Sequence, residues 1–330
     1  MTTAVDQIEQ ETADILRAEI RGDRVAVLDY PNHFNSGDLL IYRGQLAYLD
    51  RLGIEPAYVC ATHTYDRAAL SRRLPTGPLL LQGGGNFGDR YDRFQLFRER
   101  VIEENPDRKI IQMPQTIDFL DKTALERAQA VYSRHPDLTL MIRDRAGCEM
   151  TRELFPDNRV VYCPDLAFGA RPLPPVREPS RDVVMLKRRD QESMHEKDDV
   201  GRAFPGVPRT EWHASVADNF KWWPVSLANS AIHKVPRVRV RAYPYARWAF
   251  DYQCDLIIRN AVDILSEGKV VVTDRLHAAV FSVLLDKPVV MVDNANKKIS
   301  AIYRDYLGSA PGTHIAGDFD EAARIVKTLL

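Results

Sequence analysis

Cysteine is scarce in this chain. The four residues, Cys60, Cys148, Cys163 and Cys254, lie so far apart that no C-x-x-C pair occurs. Their spacing offers neither a zinc site nor a disulfide framework, and a reducing compartment is the natural expectation. An excess of one charge is also lacking: 45 Lys and Arg against 46 Asp and Glu leave a formal net charge of −1. Bulk electrostatics therefore does not point to nucleic acid. No apolar run reaches the roughly 18 to 20 residues needed to span a bilayer. The stretch from Met1 to Arg21 is acidic and helical in pattern, without an apolar h-region or a small-residue cleavage site. Secretion is not expected from it, and a cytoplasmic location is. Internal sequence repeats and low-complexity tails are missing too.

What is there is an ordinary globular composition, 45% apolar and 28% charged over 330 residues, enough for about two domains. Residues 5–20 have the spacing of an amphipathic helix. Arg24 to Tyr30 is a short apolar run that stops in a Pro/Asn/Ser/Gly turn, the pattern of a buried parallel strand entering a loop. Strands follow at Ala57–Thr62, Leu79–Gln82, Lys109–Met113 (ended by Pro114), Leu138–Ile142 and Val160–Cys163, with helical patterns between them. Gly169 to Arg181, with Pro172, Pro174, Pro175 and Pro179, reads as a stiff linker. A second series then alternates: a strand at Asp182–Leu186, a helix at Asp251–Ser266, strands at Lys269–Thr273 and Val289–Val292, and helices around them. Residues 191–250 show little pattern. The expected fold is α/β, with two Rossmann-like lobes, 1–168 and 182–330, joined by linker 169–181. Their sheets are mostly parallel and face across a cleft. The sequence leaves open whether the last helix packs back on the first lobe.

Chemistry-bearing residues fall at predicted strand ends, where ligands of open α/β sheets bind. Gly83-Gly84-Gly85-Asn86-Phe87-Gly88 has the G-x-G-x-x-G form. A dinucleotide site also needs an acidic residue at the end of the next strand, about 20 residues on, and here that strand runs into Pro114-Gln115. The glycines can still bring backbone N–H groups to an anion or a sugar hydroxyl, or simply make a tight turn. In Asn35-Ser36-Gly37-Asp38, Asp38 can cap a helix or accept a hydrogen bond from a substrate hydroxyl, with His33 in the same loop. Arg143-Asp144, Arg188-Arg189-Asp190 and Asp274-Arg275 could clamp phosphate and carboxylate, or pair with carboxylates between the lobes. His277 stands at or near a helix start beside Arg275. The helix N-terminus disfavours imidazolium and a bound dianion favours it, a combination suited to proton exchange near neutral pH. Lys297 and Lys298 could add a positive contact. Trp222-Trp223 offers an aromatic face for a sugar, or a core pair. Lys234 to Arg241 alternates basic and apolar residues like a charged edge strand that could meet an anionic membrane or a phosphorylated lipid.

Taken together, Asp29 to Asp38, Gly83 to Asp89, Gln112-Met113-Pro114-Gln115-Thr116-Ile117, Arg143-Asp144, Pro164-Asp165, Arg188-Arg189-Asp190, Asp274-Arg275-Leu276-His277 and Asp293 to Lys298 resemble the polysaccharide pyruvyl transferases, from about residue 24 to 310. The resemblance implies a GT-B-like fold and transfer of an enolpyruvyl group from phosphoenolpyruvate to two hydroxyls of one sugar, giving a pyruvate ketal. It implies phosphoenolpyruvate at Arg275, with Arg143, Arg188, Arg189 and Lys298, and His277 as acid/base. Asp38 or His33 would orient or deprotonate the sugar hydroxyl, and Asn35, Gly84, Gly85, Asn86, Gln115 and Trp222 would meet the acceptor. No redox cofactor or metal is called for. The acceptor would be a sugar of an oligosaccharide or lipid-linked glycan, with contact at the inner face of the cell membrane left open. Two rivals stand beside this reading: a nucleotide-sugar glycosyltransferase on the same fold, for which no ribose-binding acid stands in the expected place, and a non-catalytic carbohydrate-binding relative. Oligomeric state is not legible.

Overall fold

The computed structural model describes residues 3–188, 197–212, 216–234, 241–293 and 298–330. Two sheets organise the chain, and every strand pairing among the described residues is parallel. The first sheet contains β1 (Arg24–Leu28), β2 (Glu55–Cys60), β3 (Leu79–Leu81), β4 (Gly84–Phe87), β5 (Ile110–Ile117), β6 (Leu138–Ile142) and β7 (Arg159–Tyr162). Its order is β2-β1-β3-β5-β6-β7, with β4 attached to β5. The second contains β8 (Arg181–Leu186), β9 (Arg209–Thr210), β10 (Gly268–Thr273), β11 (Val289–Val292) and β12 (Thr313–Ala316), in the order β12-β11-β10-β8-β9. These are the two Rossmann-like lobes of a GT-B-like fold, the class expected from the alternating pattern.

The two orders are the same order. In each lobe the first strand lies between the second and the third, and the later strands extend outward from the third. Crossovers therefore leave β1 and β3 toward opposite directions in the sheet, and likewise β8 and β10. A doubly wound sheet opens a crevice at the carboxyl ends of such a pair. The strands can be central because they are apolar on both sides: Val25, Ala26, Val27 and Leu28 are fully buried, as are Val271 and Val272. Helices restart sharply after strands because short polar residues cap them. Asn35, Asp121, Asp144 and Asp318 each accept a backbone N–H of the first turn.

One apolar cluster spans both lobes, joining Leu39, Leu40 and Tyr48 of helix Ser36–Arg51 to Phe250, Cys254 and Ile257 of helix Tyr243–Ser266 and to Val280 and Phe281. Polar ties reinforce it. Tyr30 Oη donates to the Phe250 carbonyl at 2.9 Å, and Arg43 pairs with Asp255 at 2.8 Å. The return to the first lobe is thus made by helix Tyr243–Ser266. The last helix, Phe319–Leu329, buries Phe319, Ala322 and Val326 with Val183, Val270 and Val290 of the second sheet instead, because its apolar stripe matches that sheet's outer face.

Other expectations need correction. β5 continues through Pro114 to Ile117. Its pairing with β6 shifts register between Gln112 and Gln115, which accommodates the residue that has no N–H. β4 and β12 are strands too short for periodicity to reveal. Helix Tyr243–Ser266 begins well ahead of Asp251, and the weakly patterned region holds helices Lys197–Ala203 and Val216–Lys234. Arg189, the Lys298 side chain and residues 235–240 and 294–297 lie outside the described residues, so the edge strand expected at Lys234 to Arg241 does too.

Candidate active site

The two crevices face each other and enclose a cavity of about 290 Å³. From the first lobe it is lined by His33, Asn35 and Asp38 after β1, by Gly85, Asn86, Tyr91, Arg93 and Phe94 after β3, and by Arg143 after β6. From the second come Arg188 after β8, Trp212 after β9, and Arg275, Leu276 and His277 after β10. Among the described residues, four arginines and two histidines line it against a single carboxylate, Asp38.

His277 sits in the first turn of helix Leu276–Leu284. Its Nε2 lies 3.3 Å from Asp165 Oδ2 and 3.5 Å from Arg143 Nη1, while Arg143 Nη1 donates to the same Asp165 oxygen at 2.7 Å. Burial pushes the Asp165 carboxyl up, but the His277 hydrogen bond and the Arg143 charge outweigh it and hold the group below the usual carboxylate range. An ionised Asp165 accepts a proton donated by Nε2, and Arg143 can only donate. Nδ1 is therefore the ring atom left to exchange a proton. The ring packs against Gly37, in the first turn of helix Ser36–Arg51. A Cβ there would fall 2.5 Å from Nδ1 and 2.7 Å from the His277 Cβ, so the glycine is what lets the two lobes close on this ring.

The arginines are differently held. Arg143 is buried, its Nε bonded to Thr116 Oγ1 at 2.8 Å, and its Nη2 makes no bond among the described residues. Arg275 Nη2 donates to Glu211 at 2.9 Å, and its Nε is buried with no partner. The Arg188 backbone N–H donates to Asp274 Oδ1 at 2.7 Å, which ties the ends of β8 and β10 together. Burial raises the Asp274 carboxyl, opposed by that bond and by the neighbouring cations. Arg93 is exposed at the mouth, with its guanidinium 4.4 Å over the Phe94 ring.

On the opposite wall, Gly84 has φ of +136°, a conformation that lets the chain turn from β3 into the loop without a side chain. Asn86 is then fixed from behind. Its Oδ1 accepts from Gln115 Nε2 at 3.0 Å and from the fully buried Arg98, whose Nη1 also donates to the Asn86 carbonyl at 2.8 Å. With Oδ1 held, Nδ2 is the atom that has no bond among the described residues. Beneath lies Asp29, buried, left-handed at φ of +72°, with both carboxylate oxygens unbonded and Arg98 3.6 Å away. Burial pushes this carboxyl up to about 7, with Asp38 adding to the rise and Arg98 opposing it.

The structure thus brings together His277, Asp38, His33, Arg275, Arg143, Arg188, Asn35, Gly85 and Asn86 around one cavity. Gln115 is fully buried behind the glycine loop, where it also donates to the Gln82 carbonyl at 2.7 Å, and Gly84 serves as the loop's hinge; neither lines the cavity. Trp222 is not at the site. It is buried and packs on Phe34 with centroids 4.5 Å apart, because its helix turns that face inward. Asp38 is not the cap of its helix; Asn35 is, and Asn35 Nδ2 bonds Asp38 at 2.9 Å. Tyr91, Phe94, Trp212, Glu211 and Arg98 gave no signal in the sequence. Asp29 and Asp165 stood in the quoted motifs without a role. Arg93 carried a weak signal, a cation in the first turn of a helix where an acid is favoured.

Comparison with known proteins gives a consistent result. The sequence profile of the polysaccharide pyruvyl transferases matches residues 35–296. Pyruvyl transferase 1 of Schizosaccharomyces pombe is 30% identical over 320 residues, covering 93% of this chain and 75% of that protein. EpsO of Bacillus subtilis, a protein named as a pyruvyl transferase, is 28% identical over 309 residues, 93% of each chain. A functionally uncharacterised protein of Klebsiella pneumoniae has a similar fold, with a TM-score of 0.58 at 20% identity, covering 94% of this chain and 98% of that one.

Proposed function

The chain belongs to the polysaccharide pyruvyl transferase family, and from that premise we propose that it takes phosphoenolpyruvate as donor and closes a pyruvate ketal on two hydroxyls of one glycan sugar. Pyruvyl transfer to a glycan follows from the family; donor and ketal are our reading. One observation carries it: among the described residues the cavity lining holds Arg93, Arg143, Arg188 and Arg275 against Asp38 alone. Phosphoenolpyruvate brings a phosphate and a carboxylate, and forked guanidinium groups match both.

In this reading residues 182–330 carry most of the donor site and residues 1–168 the acceptor side. Arg275 and Arg188 hold the donor, and Arg143 completes the clamp from the first lobe. His277 delivers a proton from Nδ1 to the methylene carbon C3, and positive charge develops at C2. A sugar hydroxyl oxygen bonds to C2 as its proton passes to Asp38, assisted by His33, which lies 3.4 Å from Asp38 Oδ2. The C2–O bond to phosphate then breaks and phosphate leaves toward the arginines; the second hydroxyl closes the ketal as its proton passes to His277, which restores the imidazolium, and Asp38 gives up its proton to the departing phosphate. Asp165 steadies the His277 ring as it changes charge. Asn86 Nδ2 and the Gly85 backbone meet the acceptor. The residues call for no redox cofactor.

The test is incubation of the protein with phosphoenolpyruvate and glycan fractions, soluble and lipid-linked, following phosphate release and the new ketal methyl group by proton NMR. Phosphate release that depends on acceptor, together with the methyl signal, supports the reading. Release of nucleoside diphosphate from a nucleotide sugar, with no reaction of phosphoenolpyruvate, would replace it by glycosyl transfer.

A further inference from the structure

Helix Val216–Lys234 is turned the wrong way for a helix that answers only to its own core. Its buried positions include Ser226 and Asn229 beside Trp222, whereas Phe220, Trp223 and Leu227 point outward, 77%, 52% and 63% exposed. Those three stand at i, i+3 and i+7, so they form one stripe, and the exposed Pro224, Ala228 and Ala231 widen it. Large apolar side chains gathered on an outer face mark a surface that meets something. The charge around the stripe selects what. Lys221, Lys234 and Arg241 are exposed, and among the described residues from 216 to 241 they stand against Asp218 alone, in a chain whose net charge is −1. Lys221 lies 3.9 Å from that Asp218, at the far limit of an ion pair, and its own side chain is exposed.

We propose that this helix docks flat on an anionic lipid surface, with Phe220, Trp223 and Leu227 in the headgroup–acyl boundary and Lys221 and Lys234 on lipid phosphates. Among the described residues no helix is long and apolar enough to cross a membrane, so the contact is one of lying on the surface. The inner face of the same helix gives the docking a purpose. Trp222 packs on Phe34, the neighbour of His33 in the loop that lines the cavity, so the helix backs the acceptor wall. A lipid surface on its outer face brings a lipid-linked acceptor to that wall. The inference does not depend on the identity of the donor.

The test is sedimentation of the full chain with vesicles of phosphatidylcholine alone and of phosphatidylcholine mixed with phosphatidylglycerol. The expected result is pelleting with the anionic vesicles only, weakened by salt, with tryptophan fluorescence quenched by brominated acyl chains. The triple variant Phe220→Ser, Trp223→Ser, Leu227→Ser should lower partitioning roughly tenfold or more while its melting temperature stays at or above that of the wild type. Failure of the wild type to bind either vesicle at low salt overturns the proposal, as does unchanged binding by the triple variant. Light scattering that shows a wild-type dimer and a monomeric triple variant, without vesicle binding, would instead assign the stripe to a second copy of the chain. Cross-linking of the stripe to a protein partner, again without vesicle binding, would be equally fatal.

Discussion

The two lobes use one strand order to build two different walls. At the crevice of the first sheet, β1 and β3 end in Asp29, an Asn35-capped helix and a glycine loop pinned by Gln115 and Arg98. At the crevice of the second, β8 and β10 end in Arg188, Arg275 and His277. The fold supplies the same opening twice, and residue type decides what each half can hold. Carboxylate, amide and backbone groups suit hydroxyls, whereas guanidinium groups suit a dianion. His277 belongs to the second wall by sequence, yet its Nε2 bonds Asp165 of the first and its ring packs on Gly37, so it stands where the walls meet.

The largest expected break comes from that junction. His277→Gln keeps a ring-sized polar group beside Asp165 but cannot carry the proton. Turnover measured by phosphate release should fall by ~10²–10⁴-fold with phosphoenolpyruvate binding retained. Gly37→Ala tests whether the lobes must close on the ring. The added methyl meets His277 closer than real contacts allow, so the ring must shift. Turnover should drop roughly 10²-fold, at a stability cost of about 1–3 kcal/mol seen in the melting curve.

Asp29 sharpens the comparison through pH. Its carboxyl, pushed up by burial to about 7 from an ordinary 3.8, keeps a proton in the folded chain that the unfolded chain has lost. That lowers stability progressively as pH rises from about 4 to about 7 and levels off above, at ~1.4 kcal/mol per pH unit at most. Asn tolerates the same left-handed backbone. The melting temperature of Asp29→Asn relative to wild type should therefore climb between pH 4 and 7 and then hold; a flat difference would show that the charge is compensated. The smallest effect is expected from Asn86→Asp. The carboxylate keeps the bonds from Arg98 and Gln115 but loses the Nδ2 donors, so KM for the acceptor should rise about tenfold or less with donor affinity unchanged.

Much of this was legible in the sequence, and the misses share a cause. The strand ends carrying Arg143, Arg188, Arg275 and His277 were readable because apolar runs with period and length betray buried parallel strands, and in such sheets ligands collect at their carboxyl ends. Asp165, Glu211 and Arg98 gain meaning only through partners far along the chain, which no local spacing reports. β5 was cut short at Pro114 because a register shift that accommodates a proline is a tertiary event. Helix Val216–Lys234 escaped for the opposite reason: Phe220, Trp223 and Leu227 face outward and Pro224 lies inside it, so hydrophobic periodicity measured against a core pointed to no element.

The division of labour between the two walls is tested most directly by calorimetric titration of phosphoenolpyruvate into wild type, Arg275→Ala and Asp38→Asn. Saturable wild-type binding is expected, weakened ~10–100-fold by Arg275→Ala and left within about twofold by Asp38→Asn. Equal binding by wild type and Arg275→Ala, or loss of binding in a folded Asp38→Asn, would contradict the account.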